Sequence, residues 1–153
     1  MSSDEEVFRK LSLESRYLEE TITELQSRIK MTNSAITELR VSSMTLEGLE
    51  KEKKGAQLFV PIGGGSYAKA KLETTKNVIV SIGADVAVEK TVKETKVELE
   101  ARIAEMENTR EILGQQFKQV VERIQQNRAK MEEVTAKLRQ GEKTGVRQAK
   151  KGA

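Results

Sequence analysis

The sequence contains no cysteine, no histidine and no tryptophan, and it has a single proline among 153 residues. Without cysteine, the chain can form neither disulfide bonds nor reactive thiolates. Without histidine, it lacks the side chain that acts most often as a general base or as a metal ligand. These absences argue against an enzyme, and we predict no catalytic residue, no metal site and no cofactor.

The residues that are present suit long helices better than one compact core. Charged residues make up 33% of the chain and aromatic residues only 3%, as expected for helices that bury a single apolar stripe. The N-terminal sequence MSSDEEVF lacks the basic and apolar regions of a signal peptide. No apolar run approaches the ~20 residues that span a membrane. We therefore expect a soluble cytoplasmic protein.

The positive charge is concentrated at the C-terminus. The last fifteen residues hold five basic residues and one acidic residue, so the remaining chain is near −1 although the whole chain carries +3. The body of the protein has no basic excess that would indicate nucleic-acid binding. We predict a flexible basic tail over residues 141–153, and the alternative is an arm that binds nucleic acid or another anionic partner.

Two stretches of the chain repeat apolar residues every seven positions, which is the pattern of a coiled coil. The first helix is predicted over residues 1–54, and Ser3 and Glu6 match its capping box. The second helix is predicted over residues 91–140, and Thr91 and Glu94 match its capping box. Each pattern lasts about six heptads, so the two helices can pair as an antiparallel hairpin.

The polar residues within the two repeats define how the helices align. When facing residues have numbers that sum to 142, eight layers are apolar on both sides and Ser15 faces Asn127. A slip of one heptad would set Asn127 against Phe8 or Ile22, and a buried polar group without a partner costs about 1–3 kcal/mol. We therefore predict this register. It leaves the apolar stripe of the second helix longer than that of the first.

Residues 55–90 interrupt the helices with short apolar runs. Strands are predicted over residues 58–62, 66–72, 78–82 and 85–88, with turns at Gly63–Gly65 and Gly83–Ala84. The fold class is therefore α+β, mainly α. It is a long antiparallel two-helix coiled coil with two β-hairpins at its closed end.

Two isolated hairpins are marginally stable in water, and their edges invite pairing with another chain. We predict that hairpins from several subunits join in an oligomeric β-barrel. The apolar residues assigned to this oligomerisation are Leu58, Val60, Ile62, Val78, Val80 and Ile82.

The glycine-rich run has a second interpretation. Gly63, Gly65 and Ala68 follow a predicted strand with the spacing of a dinucleotide-binding loop. That motif needs a following helix whose N-terminus faces phosphate, whereas the sequence SYAKAKLE alternates as a strand does. A hairpin turn is therefore favoured over a nucleotide site.

Two segments resemble a known family. The sequences VPIGGGSYAKA (residues 60–70) and VIVSIGADVAVEK (residues 78–90), each set between long helices, are similar to the alpha class of prefoldin subunits, and most similar to the archaeal form. The order and length of the elements match over nearly the whole chain. The two hairpins carry this resemblance, because any coiled coil shares the composition of the helices.

The resemblance implies a molecular chaperone. Prefoldin is an ATP-independent holdase, a hexamer of two alpha-class and four beta-class subunits whose hairpins build a double β-barrel. Its coiled-coil arms bind unfolded polypeptides at their tips and deliver them to a group II chaperonin. The implied partners are therefore beta-class subunits, unfolded clients and a chaperonin. From the composition, we expect no membrane partner, and nucleic acid is disfavoured as a partner.

The ends of the predicted arms contain apolar residues that could bind clients. These residues are Val7, Phe8, Leu11, Leu13, Met131, Val134 and Leu138. Alternatively, several of them are simply the last layers of the coiled-coil core. The alternative functions are a scaffold or filament protein on the same barrel without client transfer, a coiled coil that binds nucleic acid through its basic tail, and a nucleotide-dependent enzyme.

Overall fold

The computed structural model describes residues 2–152, in which two long helices stand before and after two β-hairpins. The elements are α1 (Ser3–Lys51), β1 (Gln57–Gly63), β2 (Ser66–Lys71), β3 (Asn77–Gly83), β4 (Val86–Thr91) and α2 (Val92–Lys151). This order and the mainly helical content confirm the predicted architecture. No helix among these residues is long and apolar enough to cross a membrane.

Capping boxes begin both helices. At α2, the Glu94 N–H donates to Thr91 Oγ1 at 3.1 Å and the Thr91 N–H donates to Glu94 Oε2 at 3.4 Å, as predicted. At α1, the reciprocal pair is Ser2 and Glu5, so the prediction of Ser3 as the cap was wrong by one residue. Two consecutive serines precede three consecutive acids here, so the sequence pattern fits either cap.

The helix ends differ from their predicted positions. α1 ends at Lys51 rather than at residue 54, because the following residues already belong to the first hairpin. There the Gly55 N–H donates to the Leu72 carbonyl at 2.7 Å, and the Leu72 N–H donates to the Ala56 carbonyl at 2.8 Å. Within this turn, Gly55 adopts a positive φ of 85°.

α2 continues to Lys151, eleven residues past its predicted end at residue 140. The prediction treated the glycine-containing segment as a tail. A glycine within a helix costs about 1 kcal/mol relative to alanine but does not stop it. Gly141 and Gly145 lie among good helix formers without any proline. The segment is thus helical, and its flexibility stays a prediction.

The hairpins form two separate two-stranded antiparallel sheets. Val60 pairs with Ala68 in the first hairpin, and Val80 pairs with Val88 in the second. Gly64 and Gly65 turn the first hairpin with positive φ angles of 58° and 76°. Because β2 rather than a helix follows this turn, the dinucleotide-loop interpretation is not supported, and the favoured hairpin turn is confirmed.

The chain divides into two compact units, each crossed by both helices. One consists of Met1–Met31 with Arg110–Ala153, which we call the terminal unit, and the other is Thr32–Thr109, the hairpin unit. The line of contact between α1 and α2, which we call the seam, buries Leu25 and Ile124 in the terminal unit. In the hairpin unit it buries Ile36, which is only 2% exposed. These residues occupy positions that the heptad pattern assigned to the core.

Ion pairs on either side of the seam agree with the predicted register. In a register of 142, neighbouring e positions sum to 140 or 147 and neighbouring g positions sum to 137 or 144. In the terminal unit, Glu14 pairs with Arg123 at 2.8 Å, a g–g pair whose numbers sum to 137. In the hairpin unit, Arg40 pairs with Glu107, an e–e pair whose numbers sum to 147. Each unit therefore has the alignment that the polar residues predicted.

Candidate functional site

The terminal unit distributes the seven residues predicted to bind clients between surface and core. Val7, Phe8 and Leu13 are exposed, and Leu13 is the most open at 58%. Met131 and Leu138 are half-buried, whereas Leu11 and Val134 are buried. The last two therefore belong to the core of the helix pair, and the other five offer apolar surface to solvent.

A groove between α1 and α2 brings part of this set together. We call it the terminal groove; its lining residues are Phe8, Arg128, Met131, Glu132, Thr135, Ala136 and Arg139. Val7 and Leu13 do not line it. Sequence reasoning missed the charged residues, Thr135 and Ala136, because they lie outside the a and d positions. Their spacing could have indicated them: Met131, Glu132 and Arg139 lie three, four and eleven residues after Arg128, and therefore on the same side of α2.

A buried polar layer lies near this groove. Asn127 is 0% exposed, and neither atom of its amide group has a hydrogen-bond partner of ordinary geometry among residues 2–152, although the amide lies close enough to Glu14 to help Arg123 to lower the pKa of that carboxyl group. The Ser15 hydroxyl, which the register sets opposite Asn127, donates instead to Met131 Sδ at 3.9 Å. The polar layer thus exists as predicted, but no hydrogen bond between its two members satisfies it.

Ion pairs flank the seam at the same level. Arg123 Nε donates to Glu14 Oε1 at 2.8 Å, and this hydrogen bond lowers the pKa of Glu14 below its ordinary value of 4.5. Arg128 lies 3.9 Å from Glu19. Arg128 thus contributes both to this weak pair and to the lining of the terminal groove.

The hairpin unit carries a second apolar surface. Among the six residues predicted for oligomerisation, Leu58, Val78 and Val80 are half-buried. Val60, Ile62 and Ile82 are exposed by 45%, 68% and 59%. Leu58 and Val60 alternate along β1, and Val78 and Val80 alternate along β3, so each of these pairs shares one face of its hairpin. Ile62 and Ile82 lie at the irregularity that ends the regular register of each hairpin.

The opposite face of each hairpin also exposes apolar residues, which the prediction missed. Phe59, Tyr67 and Ile79 are more than 60% exposed, and the first two form a shallow groove with Lys69. The available signal was the continuous apolar run of β1, which is typical of a strand covered on both faces.

Comparison with known proteins identifies the family. Residues 18–137 match the family model of a prefoldin subunit. The chain belongs to the prefoldin family. Prefoldin subunits are chaperones rather than enzymes, and they assemble with other prefoldin subunits. No group of three or more acidic side chains between residues 2 and 152 is arranged to hold a metal ion.

The relatives indicate the alpha class of prefoldin. Prefoldin subunit alpha 1 of Thermococcus kodakarensis is 33% identical over 105 residues, which cover 69% of this chain and 72% of the relative. Prefoldin subunit alpha of Methanococcus vannielii is 26% identical over 123 residues, with 80% and 82% covered. A filamentous prefoldin from Methanocaldococcus jannaschii, solved by cryo-electron microscopy, matches with a TM-score of 0.68 and 25% identity over 77% of this chain and 98% of its own.

Proposed function

We propose that this alpha-class prefoldin subunit captures unfolded polypeptides at its terminal unit without ATP and passes them to a group II chaperonin. The observation that carries the proposal is the terminal groove, where Phe8 and Met131 leave apolar surface open to solvent. Adaptable apolar groups such as Met131 tolerate varied partners. The proposed clients are non-native chains of many sequences in the cytoplasm.

The exposed and buried apolar residues have different parts in this proposal. Val7, Phe8 and Leu13 are open to solvent and contact a client first. Leu11 and Val134 are buried and become available only when the helix ends separate. In this proposal, the exposed residues bind clients directly, and the buried residues form the last layers of the core until the helix ends separate.

The proposal assigns assembly to the hairpin unit. Each hairpin is a two-stranded sheet with open edges and exposed apolar side chains, and such sheets need further strands for stability. Leu58, Val60, Val78 and Val80 would pack against hairpins of neighbouring subunits in a β-barrel. We expect the assembly of two alpha-class and four beta-class subunits that the family resemblance implies.

An aggregation assay tests client capture. The assembled complex, without ATP, should suppress the aggregation of a small enzyme as it unfolds, and adding a group II chaperonin with ATP should restore enzyme activity. The variant Phe8→Gln/Met131→Gln should suppress aggregation less. Met44→Gln, which changes an exposed methionine of the hairpin unit, should behave as the unmodified complex does. Equal suppression by the groove variant would remove the groove from the proposal.

A scaffold or filament protein is the second candidate function. It is favoured by the filamentous relative and by the second apolar face that Phe59, Tyr67 and Ile79 form on the hairpins. Electron microscopy of the purified chain distinguishes the two functions when combined with the aggregation assay. Filaments that Ile79→Lys abolishes, together with no suppression of aggregation, would favour the scaffold.

A further inference from the structure

The end of α2 extends beyond its partner helix. The register sets Ser3, the first residue of α1, level with Arg139 of α2, and α2 continues to Lys151. The additional twelve residues span ~18 Å at ~1.5 Å per residue. Every described residue from position 139 onward is exposed, so no other part of the terminal unit covers this segment.

One face of the extension carries a row of positive charges. Arg139, Lys143, Arg147 and Lys150 follow each other at intervals of four, four and three residues, which places them on one side of a helix. We call them the basic stripe. Among residues 2–152, none of the four forms an ion pair, and Glu142 is the one acid within the segment. Their charge is therefore available to a partner.

The basic stripe continues directly from the terminal groove. Arg139 belongs to both, because it lines the groove together with Met131 and Ala136. Arg128, at the other end of the groove, lies eleven residues before Arg139 and hence on the same side of α2. Apolar and positively charged groups thus form one continuous surface along a single side of the helix.

We propose that the terminal groove and the basic stripe form a single surface that selects acidic clients, namely extended polypeptides in which apolar residues lie next to aspartate or glutamate. The inference rests on the proposed capture of clients at the terminal unit, and it names their chemical class. Apolar side chains would occupy the groove at Phe8 and Met131, while carboxylates would contact the stripe.

Polypeptide fits this surface better than nucleic acid does. Single-stranded nucleic acid is held by positive charge combined with aromatic side chains on which successive bases stack. Phe8 is the one aromatic residue that lines the groove, and α2 has no aromatic residue after Phe117 that could continue such stacking along the stripe. Exposed ion pairs are individually weak. A row of them acts mainly on the rate of association and on the choice of partner, and salt screens the effect.

Peptide binding to the complete complex, assembled with its companion subunits, tests the inference. Three fluorescent peptides would share the same leucine and phenylalanine positions and differ only in having glutamate, glutamine or lysine between them. At low ionic strength the glutamate peptide should bind about tenfold more tightly than the lysine peptide, and near ~1 M salt the difference should disappear.

Charge-neutralising variants assign the preference to the stripe. Arg139→Gln/Lys143→Gln/Arg147→Gln/Lys150→Gln should bind all three peptides alike. A control variant loses the same charge at four exposed lysines of the hairpin unit: Lys51→Gln/Lys53→Gln/Lys54→Gln/Lys76→Gln. It should keep the preference for the glutamate peptide. Circular dichroism would check that both variants retain their helices.

The outcomes separate this inference from the proposed function. If the complex suppresses aggregation but binds the three peptides equally, selection of acidic clients is wrong and capture stands. If it neither binds peptide nor suppresses aggregation, both are wrong. If the stripe variant loses binding to single-stranded RNA while its peptide preference is unchanged, the stripe is a nucleic-acid site and the inference is overturned.

Discussion

Asn127 places a polar amide in the core of the terminal unit, where it is fully buried. It helps Arg123 to lower the pKa of the neighbouring Glu14, but it has no hydrogen-bond partner of ordinary geometry among residues 2–152. Such a group costs about 1–3 kcal/mol of stability. A one-heptad slip would move the amide into an apolar layer on the other helix, so we infer that Asn127 helps to specify the register. It also separates the outermost apolar layers, at Leu11 and Val134, from the rest of the core.

Replacing Asn127 with leucine should stabilise the helix pair. Asn127→Leu removes an unsatisfied amide and adds apolar contacts, so we expect a gain of about 1–3 kcal/mol and a higher Tm in thermal denaturation followed by circular dichroism. Asn108→Leu makes the same change at an exposed position of α2 and should leave the Tm nearly unchanged. An unaltered or lower Tm for Asn127→Leu would contradict the assignment.

The Glu14–Arg123 pair should contribute stability that depends on pH. Arg123 lowers the pKa of Glu14 below 4.5, so the ionised carboxylate stabilises the folded state above that value. This contribution is lost as the pH falls through the lowered pKa. Glu14→Gln should therefore lower the Tm slightly at neutral pH and leave it unchanged in strong acid. Glu20→Gln, at another exposed acid of α1, should show no such difference.

At the scale of elements, the sequence predicted best what the heptad pattern controls. Polar residues within the seam, such as Ser15 and Asn127, mark individual layers, so the register followed and the ion pairs agree with it. The end of α2 was not predictable in this way. Gly141 and Gly145 suggested that the helix ends before them, although the surrounding residues favour a helix strongly enough to continue it.

The second face of the hairpins was missed for a different physical reason. Alternation along a strand assigns one face to an interface and the other to solvent, and β1 is apolar on both. The prediction therefore assigned neither Phe59 nor Tyr67 to an interface. The terminal groove was found only in part, since Phe8 and Met131 follow from the seam whereas Arg128 and Arg139 lie beside it.

The face of β3 that includes Val78 should hold the assembly together. Val80, on the same face, pairs with Val88 and is half-buried within one chain. Val80→Asp would place an unpaired charge in the proposed barrel, which is strongly unfavourable, so we expect the complex to dissociate. Light scattering measures the mass directly.

Ser81→Asp is the matched control for Val80→Asp. The Ser81 side chain points to the other face of the sheet, and it is already polar and exposed. It should leave the assembly intact. Dissociation by both substitutions, or by neither, would contradict the assignment of the barrel to the Val80 face.

At the scale of the whole molecule, the proposed function gives the two units separate roles. The hairpin unit presents apolar β-surface suited to assembly, and the terminal unit presents a groove with a charged margin suited to capture. Because these surfaces share no residue, substitutions in the terminal unit should leave the assembly intact, whereas dissociation of the assembly should weaken capture. Weak contacts at several terminal units in one complex would add through their high effective concentration.

The mass of the native protein tests the requirement for partners. Exposed residues such as Ile62, Ile79 and Ile82 make a lone chain unfavourable, since apolar surface left in water costs about 25 cal/mol per Å². We expect the purified chain to self-associate. After co-expression with beta-class subunits, it should form a hexamer that contains two copies of this 17.1 kDa chain. Native mass spectrometry measures both masses. A dilute monomer with folded hairpins would contradict this, because the edges of both sheets would then be stable without neighbours.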